Sequence, residues 1–288
     1  FLSKKKVFFT ISLVLIAAGV ITIGVNAGRG KGAFAYSLEF QGGTSTNVTF
    51  DKDYSIDEID KEIVPIVEKV TGDNNVQTQK VAGTNQVIIK TVTLDLDKRE
   101  ALNQAMVDNF GVDESKITAE NISSTVSNEM RRDAVIAVVI ATICMLLYIW
   151  FRFKDIRFAT SAVLALLHDV LVVVGFYAIA RISVGNTFIA CMLTIVGYSI
   201  NATIVIFDRI REEMRGKTKS SDVAAVVNKS ITQTLTRSIY TSLTTFIMVA
   251  VLYVMGVSSI KEFALPLMVG VVCGAYSSVC ITGALWYV

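Results

Sequence analysis

An aspartate and a histidine lie side by side within an apolar stretch of the sequence. They are His168 and Asp169 in "LLHDVLVVV". In the middle of a membrane an ionised aspartate costs at least about 2.5–3.5 kcal/mol, so it must pair, be hydrated or remain protonated. A protonatable acid beside a histidine suits proton movement. A structural polar pair bonded to neighbouring helices is the alternative, and both interpretations remain open.

Further polar residues occur in the apolar stretch "GYSINATIVIFDRIREE", Gly197 to Glu213, and just before it. Steps of four and three residues place one set on a single helical face: Thr194, Tyr198, Asn201, Val205 and Asp208. Thr203 lies in the same stretch. Polar side chains commonly bond across packed membrane helices for about 0.6–2 kcal/mol. The pattern therefore suits either a helix–helix interface or a hydrated polar path.

A third candidate is Arg237, in "QTLTRSIYTSLTTF" at the start of another apolar block. It either snorkels to the membrane surface or faces the helix bundle. In the second case it is the natural countercharge for a titrating carboxylate. The GxxxG pair Gly270 and Gly274 is predicted to serve close helix packing alone.

Membrane-spanning helices must position these residues, because the chain is 52% hydrophobic and only 18% charged over its 288 residues. Six apolar blocks reach the ~17–25 residues that cross a bilayer. We name these predicted segments span 1 to span 6: residues 7–25, 134–151, 158–180, 188–207, 238–255 and 263–288. Span 1 follows three lysines but has no convincing cleavage site, so we predict a retained span. The chain begins at Phe1 and stops within an apolar run, and we expect it to be part of a longer chain.

The basic residues predict the orientation. Thirteen Lys and Arg lie in the N-terminal flank, the "RFKDIR" loop and the segment 208–237, whereas the short loops at Arg181 and Lys261 hold two. The positive-inside rule then places the N-terminus in the cytoplasm. Residues 208–236 are predicted to form a cytoplasmic amphipathic connection. Residues 26–132 are predicted to form an extracytoplasmic domain.

That domain alternates strand and helix patterns. Predicted strands are "TSTNVTF", "NVQTQKVA", "NQVIIKTVT" and "ITAENISSTVS". One predicted helix begins with a capping box of Ser55 and Glu58, and Pro65 should kink it or start its second half. The other helix ends at Gly111. The order β-α-β-β-α-β predicts a ferredoxin-like α+β domain, and the whole chain is a polytopic α-helical membrane protein.

The sequence lacks HExxH, GxSxG, Walker and Rossmann motifs. One histidine and four cysteines without paired spacing do not build a metal site. We therefore predict no enzyme activity, no catalytic residues, no cofactor, no metal and no nucleic-acid partner.

Several motifs, in order along the chain, resemble the SecF family of bacterial protein-export membrane proteins, either separate or as the SecF half of a fused SecDF. They are "YSLEFQGGTSTNVTF", "HDV", "GYSINATIVIFDRIREE", "LTRSIYTSLTT" and "FALPLMVGVVCGAYSS". This resemblance implies one half of a twelve-span bundle related to the resistance-nodulation-division transporters. It also implies a multi-pass protein of the bacterial inner or plasma membrane that uses the proton-motive force with SecD to promote late steps of preprotein translocation. Implied partners are SecD, SecYEG, SecA, YajC, YidC, the preprotein and the bilayer.

The resemblance also implies a proton path, with an arginine on span 5 that matches Arg237. Where the family usually reads Asn-Asp-Thr, this chain reads Asn201, Ala202 and Thr203. The acid at that position is missing. Either a carboxylate of SecD suffices, or Asp169 compensates, or Ala202 impairs coupling.

Two other functions compete with protein export. One is half of an efflux or lipid transporter of the same superfamily, which would typically carry larger outer domains and a charged cluster in span 4. The other is a proton-independent scaffold whose outer domain holds preproteins, a hypothesis that Ala202 keeps open.

Overall fold

The computed structural model describes residues 2–29, 32–74, 76–81, 83–153, 156–215, 222–256 and 258–287. Residues 154–155 and 216–221, which include Lys154, Lys217 and Lys219 and are predicted to be cytoplasmic, lie outside the described residues. The helices are α1 (Lys5–Gly28), α2 (Leu38–Gln41), α3 (Ile56–Glu58), α4 (Val64–Thr71), α5 (Leu96–Phe110), α6 (Ser124–Phe153), α7 (Ile156–Ala180), α8 (Asn186–Met214), α9 (Val223–Met255), α10 (Ser258–Tyr276) and α11 (Gly283–Tyr287). Shorter turns are 3₁₀ at Leu2–Lys4 and Glu114–Lys116, and π-helical at Ile59–Ile63 and Ser277–Thr282. The strands are β1 (Ala35–Tyr36), β2 (Gly43–Thr49), β3 (Gln77–Lys80), β4 (Gln86–Thr91), β5 (Ile117–Ile122) and β6 (Ser183–Val184).

Six helical segments of the described chain are long and apolar enough to cross a membrane, and they keep the names span 1 to span 6. Their bounds are Leu2–Gly28, Val126–Arg152, Ile156–Ala180, Asn186–Met214, Val223–Met255 and Ile260–Tyr287. In the apolar parts of spans 3, 4 and 6, 44 to 61% of the residues are buried, against 6 to 11% in spans 1, 2 and 5. The first compact unit, which we call the membrane unit, covers Phe1–Ala35 and Val135–Val288. Spans 3, 4 and 6 form its centre, and the other three spans lie at its periphery.

The helices of spans 4 and 5 both extend into the predicted connection 208–236. Span 4 continues to Met214, and the helix of span 5 begins at Val223. The Asp222 side chain starts that helix, because its carboxylate accepts hydrogen bonds from the backbone N–H groups of Ala224 and Ala225. The apolar run alone marks only the part of each helix that is suited to lipid.

Close backbone approach joins span 1 to span 3. A Cβ added at Gly19 would lie 2.7 Å from the Cα of Gly175. In span 6, a Cβ at Gly270 would overlap the side chain of Ile195, and one at Gly274 would lie 3.4 Å from the Cβ of Ser199. The prediction of close packing at the GxxxG pair is confirmed, and the partner is span 4.

Gly19→Leu is expected to lower the free energy of unfolding by about 1–3 kcal/mol, because the larger side chain must separate spans 1 and 3. Gly24→Leu is the matched control, since nothing lies within 4 Å of a Cβ at Gly24. Denaturation in detergent, followed by the reactivity of the buried thiol of Cys191, measures the difference. Equal stability of the two variants would contradict the packing argument.

The second compact unit covers Tyr36–Ala134. Its four-stranded sheet has the order β3-β4-β2-β5, and every neighbouring pair is antiparallel. The core contains Val48, Ile89 and Leu102, all fully buried. The predicted order of two helical regions and four strands is confirmed.

Local chemistry explains the helix boundaries of this unit. Both halves of the capping box of Ser55 and Glu58 are present. Pro65 lies in the first turn of α4, after the π-helical turn Ile59–Ile63. Because proline cannot donate a backbone hydrogen bond, it begins the second half of the helix rather than continuing the first.

The predicted strand "ITAENISSTVS" was too long. β5 ends at Ile122, and α6 begins at Ser124. The Ser123 hydroxyl accepts a hydrogen bond from the backbone N–H of Val126 at 3.3 Å and so starts the helix. The serines and threonine after Ile122 therefore belong to a helix start and not to a strand.

Candidate functional site

Asp169 lies at the centre of the membrane unit and is 0% exposed. The hydroxyls of Ser199 and Ser277 both donate to its Oδ2, at 2.5 and 2.7 Å. The Nδ1 of His168 lies 2.9 Å from its Oδ1. One carboxyl group thus joins span 3 to spans 4 and 6, and the hydrogen bonds offset part of the cost of burying it.

The protonation state of this carboxyl decides which bonds can form. An ionised carboxylate only accepts hydrogen bonds, so it can bind both serine hydroxyls and an Nδ1–H of His168 together. A protonated carboxyl carries one O–H donor, which needs an acceptor of its own. A proton on Oδ1 can be donated to a neutral Nδ1 of His168. A proton on Oδ2 instead competes with the hydroxyls of Ser199 and Ser277 for that oxygen, and it therefore changes the contacts between spans 3, 4 and 6.

Ser277 also begins a π-helical turn, Ser277–Thr282, in span 6. In this turn the Thr282 hydroxyl donates to the carbonyl oxygen of Ser277 at 3.1 Å. Single π turns inside α-helices are frequent at functional sites, because the wider turn loosens the regular bonding of the helix. The Asp169 carboxyl thus holds the first residue of an irregular turn.

His168 is 7% exposed, and its Nε2 has no hydrogen-bond partner among the described residues. Its ring centroid lies 6.1 Å from that of Tyr276. The Tyr276 hydroxyl donates to the carbonyl oxygen of Phe8 in span 1 at 2.8 Å. Polar groups thus extend from Asp169 toward span 1.

A second polar feature is a cleft of about 100 Å³ between spans 4 and 5. Its lining residues are Tyr198, Asn201, Ala202, Val205, Arg237, Ser238, Thr241 and Ser242. The Tyr198 hydroxyl donates to the Ser242 hydroxyl at 2.9 Å and joins the two helices. Arg237 and Asn201 are exposed on this surface. Polar side chains of this cleft are thus left exposed by the helices that the structure describes.

Arg237 is the cation of this cleft. Within the described part of the chain, no carboxylate lies within ion-pair distance of its guanidinium. The hydroxyl of Ser238, which is 6% exposed, has no partner among the described residues. The cleft can therefore accept a carboxylate beside Arg237. Ala202, which lines the cleft from span 4, has no carboxyl group.

The structure divides the predicted polar residues into two groups. Asp169 and His168 belong to the buried group, whereas Tyr198, Asn201 and Arg237 line the cleft. Thr203 is 2% exposed and does not line the cleft. Span 4 lies between the two groups, because Ser199 bonds Asp169 and its neighbour Tyr198 lines the cleft.

Asp208 continues the predicted polar face but has a different role. Its carboxylate pairs with Arg152 of span 2, at 3.1 Å. Both side chains are about two-fifths exposed, at 42 and 43%, so the pair contributes little to stability. Among the described residues, no group of three His, Cys, Asp or Glu side chains can hold a metal ion.

Ser277 and Ser199 were not selected from the sequence as site residues. Ser277 lies 108 residues from Asp169 along the chain. Its only sequence signal is its position three residues after Gly274, close to the GxxxG pair of span 6. That signal predicts close packing and does not identify the side chain that is packed against it.

Comparison with known proteins places the chain in a family. The family model for the C-terminal part of the protein-export membrane proteins SecD and SecF matches residues 102–288. The protein translocase subunit SecF of Petrotoga mobilis is 36% identical over 291 residues, covering 99% of this chain and 94% of that protein. The SecDF subunit of Bacillus subtilis is 35% identical over 299 residues, covering 99% of this chain but 37% of that protein.

A solved structure supports the same family assignment. The crystal structure of SecDF from Thermus thermophilus, described as a translocon-associated membrane protein, matches with a TM-score of 0.82 and 30% identity. The match covers 99% of this chain and 38% of that one. The chain therefore belongs to the SecF family of protein-export membrane proteins.

Proposed function

We propose that this chain is a SecF-type subunit of the accessory complex of the Sec translocase. With SecD, separate or fused, it uses the proton-motive force to promote late steps of preprotein translocation across the bacterial cell membrane. Its relatives are named protein translocase subunits, which supports the export role. SecYEG, SecA, YidC and YajC are the further partners in this proposal.

The open cleft between spans 4 and 5 carries the proton-coupling part of the proposal. Arg237 and Ala202 line it together with polar side chains, on a surface that the described residues do not cover. An arginine in an apolar environment needs a counter-anion, because an isolated charge is costly to remove from water. A carboxylate on the SecD half is a suitable partner, and such an acid next to an arginine can take up and release protons.

The buried group around Asp169 supplies an acid within this chain. Its hydrogen bonds to Ser199 and Ser277 connect it to spans 4 and 6. A proton on Oδ2 of Asp169 would change those contacts behind the cleft. We therefore include Asp169 and His168, with Tyr198, Asn201, Thr203 and Arg237, among the residues of the proton path.

The unit Tyr36–Ala134 is proposed to be a ferredoxin-like domain on the extracytoplasmic side. Its element order and its antiparallel strand order β3-β4-β2-β5 support this fold. The excess of lysine and arginine in the other connections supports the orientation, with the N-terminus in the cytoplasm. In this position the domain can meet a preprotein that leaves the channel.

Arg237→Lys is expected to leave membrane insertion intact but to reduce proton-driven preprotein release about tenfold. Lysine keeps the charge but loses the planar donor fork of arginine, and one charge-assisted hydrogen bond is worth at least that factor. The assay uses vesicles containing the chain, SecD and SecYEG, with and without a proton gradient.

Arg209→Lys is the matched control for this experiment. Arg209 pairs with Glu212 and Glu213 at the end of span 4, outside the cleft. An unchanged proton-dependent release by Arg237→Lys would assign Arg237 to snorkelling and remove it from the path.

A further inference from the structure

The sheet of the unit Tyr36–Ala134 has two edge strands, β3 and β5. In an antiparallel pair, alternate residues direct their backbone N–H and C=O groups toward the neighbouring strand. The backbone N–H of Val81 donates to the carbonyl oxygen of Gln86 at 3.0 Å. Gln79 and Gln77 therefore bond β4, and Thr78 directs its backbone groups away from the sheet. Among the described residues, no hydrogen bond from outside the sheet reaches the Thr78 backbone.

The opposite edge is different. The backbone N–H of Phe50 donates to the carbonyl oxygen of Asn85 at 3.0 Å. This bond shows that Phe50, and by alternation Thr46, directs its backbone groups toward β4. Ala119 is paired with Thr46 across β5 and β2, so Ala119 directs its own backbone groups outward from the sheet. There the Arg99 side chain of α5 donates to the carbonyl oxygen of Ala119 at 3.3 Å. A side chain of the protein thus occupies the β5 edge at the position that corresponds to Thr78.

A cavity of about 290 Å³ adjoins the end of β3. Its lining is mixed, with polar and apolar side chains from β3, β4 and the segment around α2: Tyr36, Leu38, Gln41, Gly42, Asp73, Gln77, Lys90, Thr91, Val92 and Thr93. Lys90 and Asp73 give it one charge of each sign. The cavity therefore favours neither basic nor acidic side chains and can accept an apolar one against Leu38 and Val92.

We propose that an extended segment of an exported polypeptide pairs with the β3 edge at Thr78 and places one side chain in this cavity. The inference rests on the proposed role in protein export. Strand addition uses backbone hydrogen bonds, which every polypeptide sequence except proline can form. A translocase must bind many unrelated sequences, and backbone pairing with a permissive cavity meets that need.

Disulfide cross-linking in vesicles tests the site directly. The full chain is combined with SecD, SecYEG and a preprotein that is arrested in transit and carries one cysteine. Thr78→Cys is expected to cross-link to the preprotein at least about tenfold more than Ala119→Cys, an equally half-buried residue on the other edge. Equal cross-linking from the two edges, or cross-linking of Thr78→Cys to SecD instead, overturns the inference.

Two proline substitutions, one on each edge strand, give a second, independent measurement. The N–H of Thr78 is not used within the sheet, so Thr78→Pro keeps the β3–β4 hydrogen bonds but removes the donor for an added strand. Preprotein capture is expected to fall about tenfold, as for loss of one hydrogen bond, whereas Ala119→Pro has no such effect. Unchanged capture by a folded Thr78→Pro protein, with folding checked by circular dichroism, overturns the inference.

The two proposals fail in different ways. If the unaltered chain promotes proton-dependent release but its two edges behave alike, the export role stands and the β3 site is overturned. If Thr78→Cys cross-links selectively while the chain promotes no release, the β3 site stands and the export role is overturned.

Discussion

Asp169→Asn is expected to leave the chain folded and inserted but to remove most of the dependence of preprotein release on the proton gradient. Asparagine has the shape of aspartate, and its Oδ1 can still accept hydrogen bonds from Ser199 and Ser277. It cannot take up or release a proton. If the Asp169 proton is part of the cycle, the variant is fixed in one state of the contacts between spans 3, 4 and 6.

Asp169→Leu is a poorer probe of the same idea. It leaves three buried polar groups, on His168, Ser199 and Ser277, without the acceptor that they bond in the native chain. Each unsatisfied buried group costs about 1–3 kcal/mol. The expected loss of several kcal/mol is comparable to the whole stability of many domains, so loss of activity in this variant says little about protons.

Two neighbouring serines provide the matched control. Ser277 and Ser278 are both 0% exposed and both lie in the π-helical turn. Only Ser277 donates to Asp169, whereas the Ser278 hydroxyl donates to the carbonyl oxygen of Ala275. Ser277→Ala is expected to impair proton-dependent release more than Ser278→Ala, at similar stability. Full proton dependence in Asp169→Asn would reduce the His168–Asp169 pair to a structural contact.

The fold could be predicted from the sequence where local chemistry decides it. Apolar length identifies the six spans, and caps such as the box of Ser55 and Glu58 identify helix starts. Apolar length alone does not give the ends of spans 4 and 5, because both helices continue as charged helix beyond the segment that is suited to lipid. Hydropathy reports the solvent around a helix and not where the helix ends.

The candidate site was predictable only as a set of residue types. A carboxylate in an apolar block and an arginine at its border attract attention because both are costly there. The sequence does not reveal that Thr203 is buried while Asn201, two residues earlier, is exposed, since that depends on which helices surround span 4. The bond from Ser277 to Asp169 is likewise a tertiary contact without a local signal.

Ala202→Asp is expected to increase proton-dependent preprotein release several-fold. Ala202 lines the cleft with Arg237, so an aspartate there lies near a guanidinium that has no carboxylate partner within the described chain. The nearby positive charge favours the ionised acid and limits the cost of burying it. The pair then offers a carboxylate that can exchange protons at the surface of this half. Release is measured in vesicles containing SecD and SecYEG, with and without a gradient.

Ala202→Asn is the control for size and polarity, because it fills the same space without a titratable group. If Asp accelerates release and Asn does not, the missing acid limits coupling in this chain, and the gain should disappear in the double variant with Arg237→Ala. If the unaltered chain and Ala202→Asp release preprotein equally and both need the gradient, Ala202 is an ordinary variation. The proton is then carried by Asp169 or by SecD. Asp169→Asn with Ala202 unchanged separates those two sources, since gradient-dependent release that survives this change must use an acid other than Asp169.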